Sequence, residues 1–336
     1  MKTKKVTISD IAAALQISPV SISRALAGQP GVGEELKNKI LDKAREMGYT
    51  KNPKNDFASI LVLYQQNPYM DDNNNSMVRG VEKALQNVNA DYHVEFVGKE
   101  AQAAMALPYK LSKGLRFDGV ILIGRFNLDY ARLIYREIPN LIFLTGYSPA
   151  YDYDNVWFGF CNAGYQLGEY LIKRGHTRIG FAGDCRLFRN KERLIGITAA
   201  LEDYHLPLCP EFCYDLGAGY HGQLQEQIKQ KRLPTAIICD HDITALELIK
   251  LLYENQLKVP DDISIVGSGN SEMSTLSIPA LTTMDLNIEY SSEVTVATLL
   301  RRIGRPDKPS ESIAILSRLV ERDSVRSLAK AGETRV

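Results

Sequence analysis

From residue 59 onward, short apolar runs alternate with amphipathic stretches. Ile60 to Tyr64, Tyr92 to Val97, Gly119 to Ile123, Leu141 to Leu144, Ile179 to Ala182, Ala236 to Cys239 and Ile263 to Gly267 have the length and composition of buried strands. Between them, Val78 to Val88, Ala101 to Gly114, Ala163 to Arg174 and Glu192 to Tyr204 repeat their apolar residues at helical spacing. Strands alternating with helices predict an α/β body with a doubly wound parallel sheet. The units are too many for one sheet, so the pattern predicts two lobes with a cleft between them.

The first fifty residues follow a different period. Thr7 and Asp10 form a capping box, so a helix is expected to start near Ile8 and to bury Ile8, Ile11, Ala12 and Leu15. Ser18 is a second cap, Pro19 sits at the N1 position that tolerates a missing N–H, and Val20 to Leu26 continue as a helix with Ile22, Ala25 and Leu26 facing inward. A third helix, Glu34 to Met47, buries Leu36, Ile40, Leu41 and Ala44 and ends at Gly48. Only a short turn separates the first two, which is the helix-turn-helix layout, with the second helix placed to enter a major groove. Three short helices would equally suit a protein-binding module. The expected organisation is an all-α head over residues 1–49, a short linker over 50–58 and the α/β body over 59–336.

Charge sharpens the first of these readings. The 336 residues have zero net charge, yet residues 1–58 hold ten Lys and Arg against six Asp and Glu, a head of +4 on a body of −4. A cationic tip suits a polyanion, because each neutralised phosphate releases a counterion. No apolar run is long enough to span a membrane, and the first residues lack the apolar stretch of a secretory signal, so a cytoplasmic protein is expected. The five cysteines are scattered without a C-x-x-C and are expected to be buried free thiols. Asp240, His241 and Asp242 raise the question of a metal, but adjacent side chains point different ways and no further ligand cluster supports one. Neither metal nor cofactor is expected. An enzyme is argued against by the absence of a P-loop, a G-x-G-x-x-G after a strand, a G-x-S-x-G and a zinc motif. A solute-binding protein is argued against by the cationic head.

Three separated motifs make the head specific: Thr7-Ile8-Ser9-Asp10-Ile11-Ala12, Ile17-Ser18-Pro19-Val20-Ser21-Ile22-Ser23-Arg24-Ala25-Leu26 and Ala44-Arg45-Glu46-Met47-Gly48-Tyr49. In order and spacing they resemble the head of the lactose-repressor and galactose-repressor family of bacterial transcription regulators. The resemblance implies that Pro19, Val20 and Arg24 face base edges, while Thr7, Ser18, Ser21 and Ser23 hold phosphates; Lys37 is a further DNA-binding candidate. Ala27 stands where the family usually has Asn, and Gly33 where it has Ser. The linker is shorter than usual and lacks the Leu that wedges into the minor groove, so operator reading is expected to rest on the major-groove helices of a dimer.

The resemblance continues through Phe117 to Gly124, Gly175 to Gly183, Arg193 to Gly196, Val259 to Gly267, Pro279 to Thr283 and Leu319 to Arg322. It implies a periplasmic-binding-protein-like body, with an N-lobe of about 59–156 plus 287–313 and a C-lobe of about 157–286 plus 314–329. It further implies a homodimer on a pseudo-palindromic operator and a small sugar bound beyond the carboxyl ends of the strands. Arg193, Tyr214, His241, Asp242 and Asn270 are the effector candidates carried over by motif, and Tyr64, Gln65, Tyr69 and Arg125 follow strand ends in the N-lobe. His241 replaces a usual Asn, Gly269 a usual Asp or Asn, and Phe160 and Cys161 an Asp-Asn pair, which leaves fewer acceptors for sugar hydroxyls. The short linker, the Ile123 to Phe126 loop and Asp152 to Val156 resemble the subgroup that regulates galactose and β-galactoside use. Purine-responsive and global catabolite regulators of the same family are the alternatives.

Overall fold

The computed structural model describes residues 8–18, 21–22, 25, 33–47, 58–65, 72–146, 152–216, 219 and 221–328. The chain divides into two compact units, Met1–Phe57 and Ala58–Val336.

In the first unit, α1 spans Ile8–Leu15 and α2 spans Glu34–Glu46, and Ser21, Ile22 and Ala25 between them are helical. Of the expected apolar positions, Ile11, Ala12, Ile22, Ala25, Ile40 and Ala44 are buried, and Leu15 and Leu36 pack against them together with Ile17 and Met47; Leu41 is only partly buried, and Leu26 and the Ile8 side chain lie outside what is described. Gln16 adopts a left-handed φ of 54°, and the Ile17 N–H reaches back to the Ala12 carbonyl at 3.1 Å, which closes α1. The turn then hands over to Ser18, whose Oγ accepts the Ser21 N–H at 3.1 Å as an N-cap does.

The second unit contains two parallel sheets. The first is built from β1 (Ser59–Tyr64), β2 (Asp91–Phe96), β3 (Gly119–Ile123), β4 (Leu141–Leu144), β5 (Asp154–Phe158) and β11 (Ser312–Ile315), in the order β11-β5-β4-β3-β1-β2. The second is built from β6 (Ile179–Gly183), β7 (Cys213–Asp215), β8 (Ala236–Cys239) and β9 (Ser264–Val266), in the order β7-β6-β8-β9. Strands β3, β4, β6, β8 and β9 are buried at every residue, as sheets covered on both faces require. Helices α3 (Asp72–Asn87), α4 (Lys99–Ala103), α5 (Tyr109–Ser112) and α6 (Leu128–Glu137) follow strands of the first sheet. Helices α7 (Phe160–Lys173), α8 (Phe188–Asp203), α9 (His221–Gln230), α10 (Asp242–Glu254) and α11 (Glu272–Leu276) belong to the stretch that holds the second. Helix α12 (Ile288–Gly304) returns the chain to the first sheet, packing on α3 and β3 to β5. Two short strands, β10 (Thr283–Asp285) and β12 (Arg318–Val320), pair antiparallel.

Three differences from the sequence expectation have physical causes. The helix expected over 101–114 is two short helices, because Met105 takes a left-handed φ of 52° and Pro108 cannot donate the N–H that a continuing helix needs. Glu95 caps the second piece by accepting the Tyr109 and Lys110 N–H groups. The first sheet also keeps two residues more on each side of the lobe junction than expected. β5 runs through Trp157 and Phe158, and β11 through Ala314 and Ile315, because these residues pair with one another. The crossovers accordingly fall at Gly159, Asn287 and Leu316, and they are laced together: the Gly159 N–H donates to the Ile315 carbonyl at 2.9 Å and Asn287 Nδ2 to the Leu316 carbonyl at 2.9 Å. Cys161, finally, is exposed rather than buried, while Cys239 is fully buried and the remaining three are partly so.

Among the described residues no helix is long and apolar enough to cross a membrane.

Candidate functional site

In the first unit, Thr7, Pro19, Val20, Ser23 and Arg24 lie outside the described residues. Ser18 is exposed, and its Oγ is shared between the Ser21 N–H and, at 2.9 Å, the Ser21 hydroxyl. Lys37 is partly buried near the start of α2, its N–H on the Gly33 carbonyl at 2.9 Å.

In the second unit the carboxyl ends of β6, β8 and β9 converge on a buried polar network, and α8 supplies its centre. Glycines set the depth of that helix: a Cβ on Gly164 of α7 would collide with the Arg193 carbonyl, and one on Gly196 of α8 with the Cys161 carbonyl. Backbone therefore meets backbone, and Arg193 is carried inward until it is 1% exposed. Its NH1 donates to Asn190 Oδ1 at 2.9 Å and its NH2 to Ser268 Oγ at 3.2 Å, while the Phe160 ring lies 4.9 Å from its Cζ. Burial lowers its pKa to about 10, partly opposed by the charge of Asp240. Asn190 passes the link on, donating to Asp240 Oδ2 at 2.9 Å, and Thr244 donates to Asp240 Oδ1 at 2.9 Å. Burial works against the Asp240 charge, but His241, Arg193, Asn190 and Arg189 outweigh it, and its pKa lies below the ordinary carboxylate value.

His241 faces Arg189, with 2.7 Å between Nε2 and the guanidinium NH2. Glu192 keeps one buried oxygen without a partner, and burial pushes its carboxyl up to about 7.

Two effector candidates have other employment. Tyr214 is wholly buried in the core between β7 and its helices, with its hydroxyl on Gln227 Oε1 at 2.6 Å, so it does not face the cleft. Asp242 is likewise buried, accepting the Ser271 N–H at 2.7 Å and the Thr283 hydroxyl at 2.5 Å. It pins the loop after β9 to β10, and a Cβ on Gly267 would collide with it. Asp240, His241 and Asp242 thus engage three separate sets of partners.

Asn270, at a left-handed φ of 50°, accepts from Arg322 NH2 at 2.6 Å and lines a cavity of about 630 Å³. The remaining walls come from Ser76 and Arg79 of α3, the loop Gly269 to Glu272, and Asp285 to Glu293 where the chain crosses into α12. Both lobes therefore contribute to it. Tyr64 ends β1 with its ring 5.7 Å from that of Phe96, and Gln65 continues the strand end by donating its N–H to the Ile123 carbonyl at 3.1 Å. Arg125 is exposed just past β3, and its charge is among those that hold Asp184, which follows β6, below the ordinary carboxylate value. Tyr69 lies outside the described residues.

The site thus gathers Arg193, His241, Asn270 and Arg125 near strand ends and removes Tyr214 and Asp242. It adds Arg189, Asn190 and Ser268, which sequence reasoning missed. Only Asn190 carried a signal, its spacing of three residues from Arg193 on one helical face.

Residues 169–325 match the family described as a periplasmic binding protein-like domain. Over nearly its whole length the chain is similar to curated transcriptional repressors, which are not enzymes. It is 26% identical to the Bacillus subtilis (strain 168) protein named "Probable HTH-type transcriptional repressor ExuR", over 96% of this chain and 99% of that one. It is 27% identical to the HTH-type transcriptional repressor CytR of Escherichia coli (strain K12), over 84% of this chain and 87% of that one. Among solved structures, the lac repressor dimer bound to operator and the anti-inducer ONPF superposes with a TM-score of 0.68 at 22% identity, over 96% of this chain and 100% of that one. In sequence the chain is thus similar to transcriptional repressors, and it shares the fold of the lac repressor.

Proposed function

From that kinship and the geometry of the two units, we propose that the chain is a sequence-specific DNA-binding repressor. Its first unit holds a pseudo-palindromic operator as one half of a homodimer, and its second unit binds the small molecule that controls it. Acting on chromosomal DNA, it works in the cytoplasm. The observation that carries the reading is a trihelical core with a Ser18-capped turn joined to a two-lobed body whose strand ends converge on Arg193. The cavity shared by both lobes supports control by lobe closure: a ligand touching α3 and the Gly269 to Glu272 loop favours one relation of the lobes over another.

In the head, Pro19, Val20 and Arg24 read base edges and Thr7, Ser18, Ser21, Ser23 and Lys37 hold phosphates. The effector is a sugar, and galactose or a galactoside ranks first on the short linker and the loops at 123–126 and 152–156. A purine effector is the second reading.

Selection of genomic fragments on the purified chain, followed by fluorescence anisotropy on the enriched site, tests the DNA role. Arg24→Ala is expected to weaken operator binding by about 1–3 kcal/mol and to relax preference at one base position. An unchanged affinity and base preference would remove Arg24 from the readout, and no enriched fragment at low salt would remove the regulator reading altogether.

A further inference from the structure

The network under the strand ends is unbalanced in charge. Arg193 is buried, both of its hydrogen-bonded donors end on the neutral groups of Asn190 and Ser268, and its Nε has no acceptor. Asp240 acts on it only through space, because the Asp240 oxygens are taken by Asn190 and Thr244. A buried guanidinium without a carboxylate in direct contact is an expensive arrangement unless an anion completes it. Two more arginines belong to the same strand ends: Arg189, one turn earlier on α8 with its NH2 on the His241 ring, and the exposed Arg125 just past β3, whose charge is felt by Asp184 at the end of β6.

The carboxylates at the same strand ends are spent within the protein. Asp184 is held by Arg186 at 2.8 Å, Asp215 accepts the Cys185 N–H at 3.3 Å, and Asp242 serves Ser271 and Thr283. Phe160, Cys161 and Gly269 offer no carboxylate either. A neutral sugar brings hydroxyls that need acceptors, and this end of the cleft presents donors. Glu272 and Glu293 belong instead to the cavity that Gly269 and Asn270 line, where hydroxyls can donate to them.

We propose that the effector is an anionic sugar, carrying a carboxylate or a phosphate, and that Arg189 and Arg125 select its charged group while Arg193 supplies the charge behind them. The planar, doubly donating guanidinium fits both oxyanions. The Phe160 ring covers Arg193, whereas Arg125 is exposed and Arg189 only partly buried. The proposal rests on the effector reading above and replaces a neutral galactoside by an acidic sugar.

Isothermal titration of the full-length chain with matched pairs tests it: galactose and galacturonate, glucose and glucuronate, and glucose and glucose 6-phosphate. An acidic member is expected to bind at least about tenfold more tightly than its neutral parent, and to weaken as salt is raised. The uronate and phosphate arms decide which oxyanion is taken. Arg189→Gln and the exposed Arg125→Gln are each expected to cost the acidic sugar severalfold or more, and its neutral parent markedly less. The exposed position keeps the test valid should the α8 variant misfold. A neutral sugar or purine that binds as tightly as any acidic one, an acidic sugar indifferent to both substitutions, or no binding of any acidic sugar overturns the proposal. Operator affinity measured on the same samples separates the two claims: operator binding released by a neutral ligand sinks only the anionic effector, and acidic-sugar binding without any operator sinks only the repressor.

Discussion

Asp154 shows what a single buried charge does in this fold. Its side chain is fully buried, and its two oxygens accept from Arg302 Nε and NH2, Lys308 Nζ and the Glu311 N–H, each at 2.8 Å. Burial would raise its pKa, but these donors outweigh it and hold the carboxyl below its ordinary value. A depressed folded-state pKa means that the stabilisation is complete above the unfolded value of about 4 and fades as pH falls through the folded one. Asp154→Asn is expected to cost about 3–5 kcal/mol near neutrality, because Arg302 and Lys308 are left buried without their anion. Urea midpoints of both chains should converge on acidification below about pH 4; a gap that persists there would show that shape, not charge, sets the loss. At the same scale, Tyr214 marks a limit of reading from the chain alone. An aromatic residue in a short run beside polar neighbours looks the same whether its strand is central or at a cleft. Only the placement of β7 beside β6 decides it.

Among elements, α7 and α8 pack backbone against backbone, and their glycines are why. Gly164, Gly168 and Gly196 lie at the contact, and a Cβ on Gly168 would stand 2.9 Å from that of Ala200. Gly196→Ala is expected to destabilise the second unit by at least about 1–3 kcal/mol through overpacking and to lift Arg193 out of its bonds with Asn190 and Ser268. Thermal denaturation with and without effector checks both parts: a lower Tm with effector stabilisation intact would disconnect the glycine from the site. The strands read most easily from sequence were β1, β3, β4, β6 and β8, because strands covered on both faces appear as unbroken apolar runs. β7, β10 and β12 have three residues each and no local pattern; they exist because distant partners reach them. The site divides in the same way. Arg193 was visible through its motif, whereas Ser268 becomes its partner only when β9 lies across from α8.

In the molecule's second unit, Asn287 sits where one crossover meets another. It holds a left-handed φ of 52°, its N–H donates to Asp285 Oδ1 at 2.9 Å, and its side chain ties to Leu316. Asn tolerates this conformation better than most side chains do. Asn287→Ala removes the tie and adds backbone strain, for a cost of about 1–2 kcal/mol. If lobe closure transmits the effector's message, this variant is expected to keep operator and effector affinities within a fewfold while changing the coupling between them. Titrating operator release against effector measures that coupling. An unaltered coupling would show that the message does not pass through this crossover.

The pairing of β11 with β5 sets a timetable for the chain as it is made. Ile313 and Val156 are neighbours in the sheet, yet the whole run from β6 to β9 emerges from the ribosome between them. The second sheet can therefore form first, while the first waits with β5 as a bare edge, ready to pair with any strand that drifts past. Translation stalled before residue 312 would leave that edge open, so the tail of the polypeptide is also the stopper that ends its own period of stickiness.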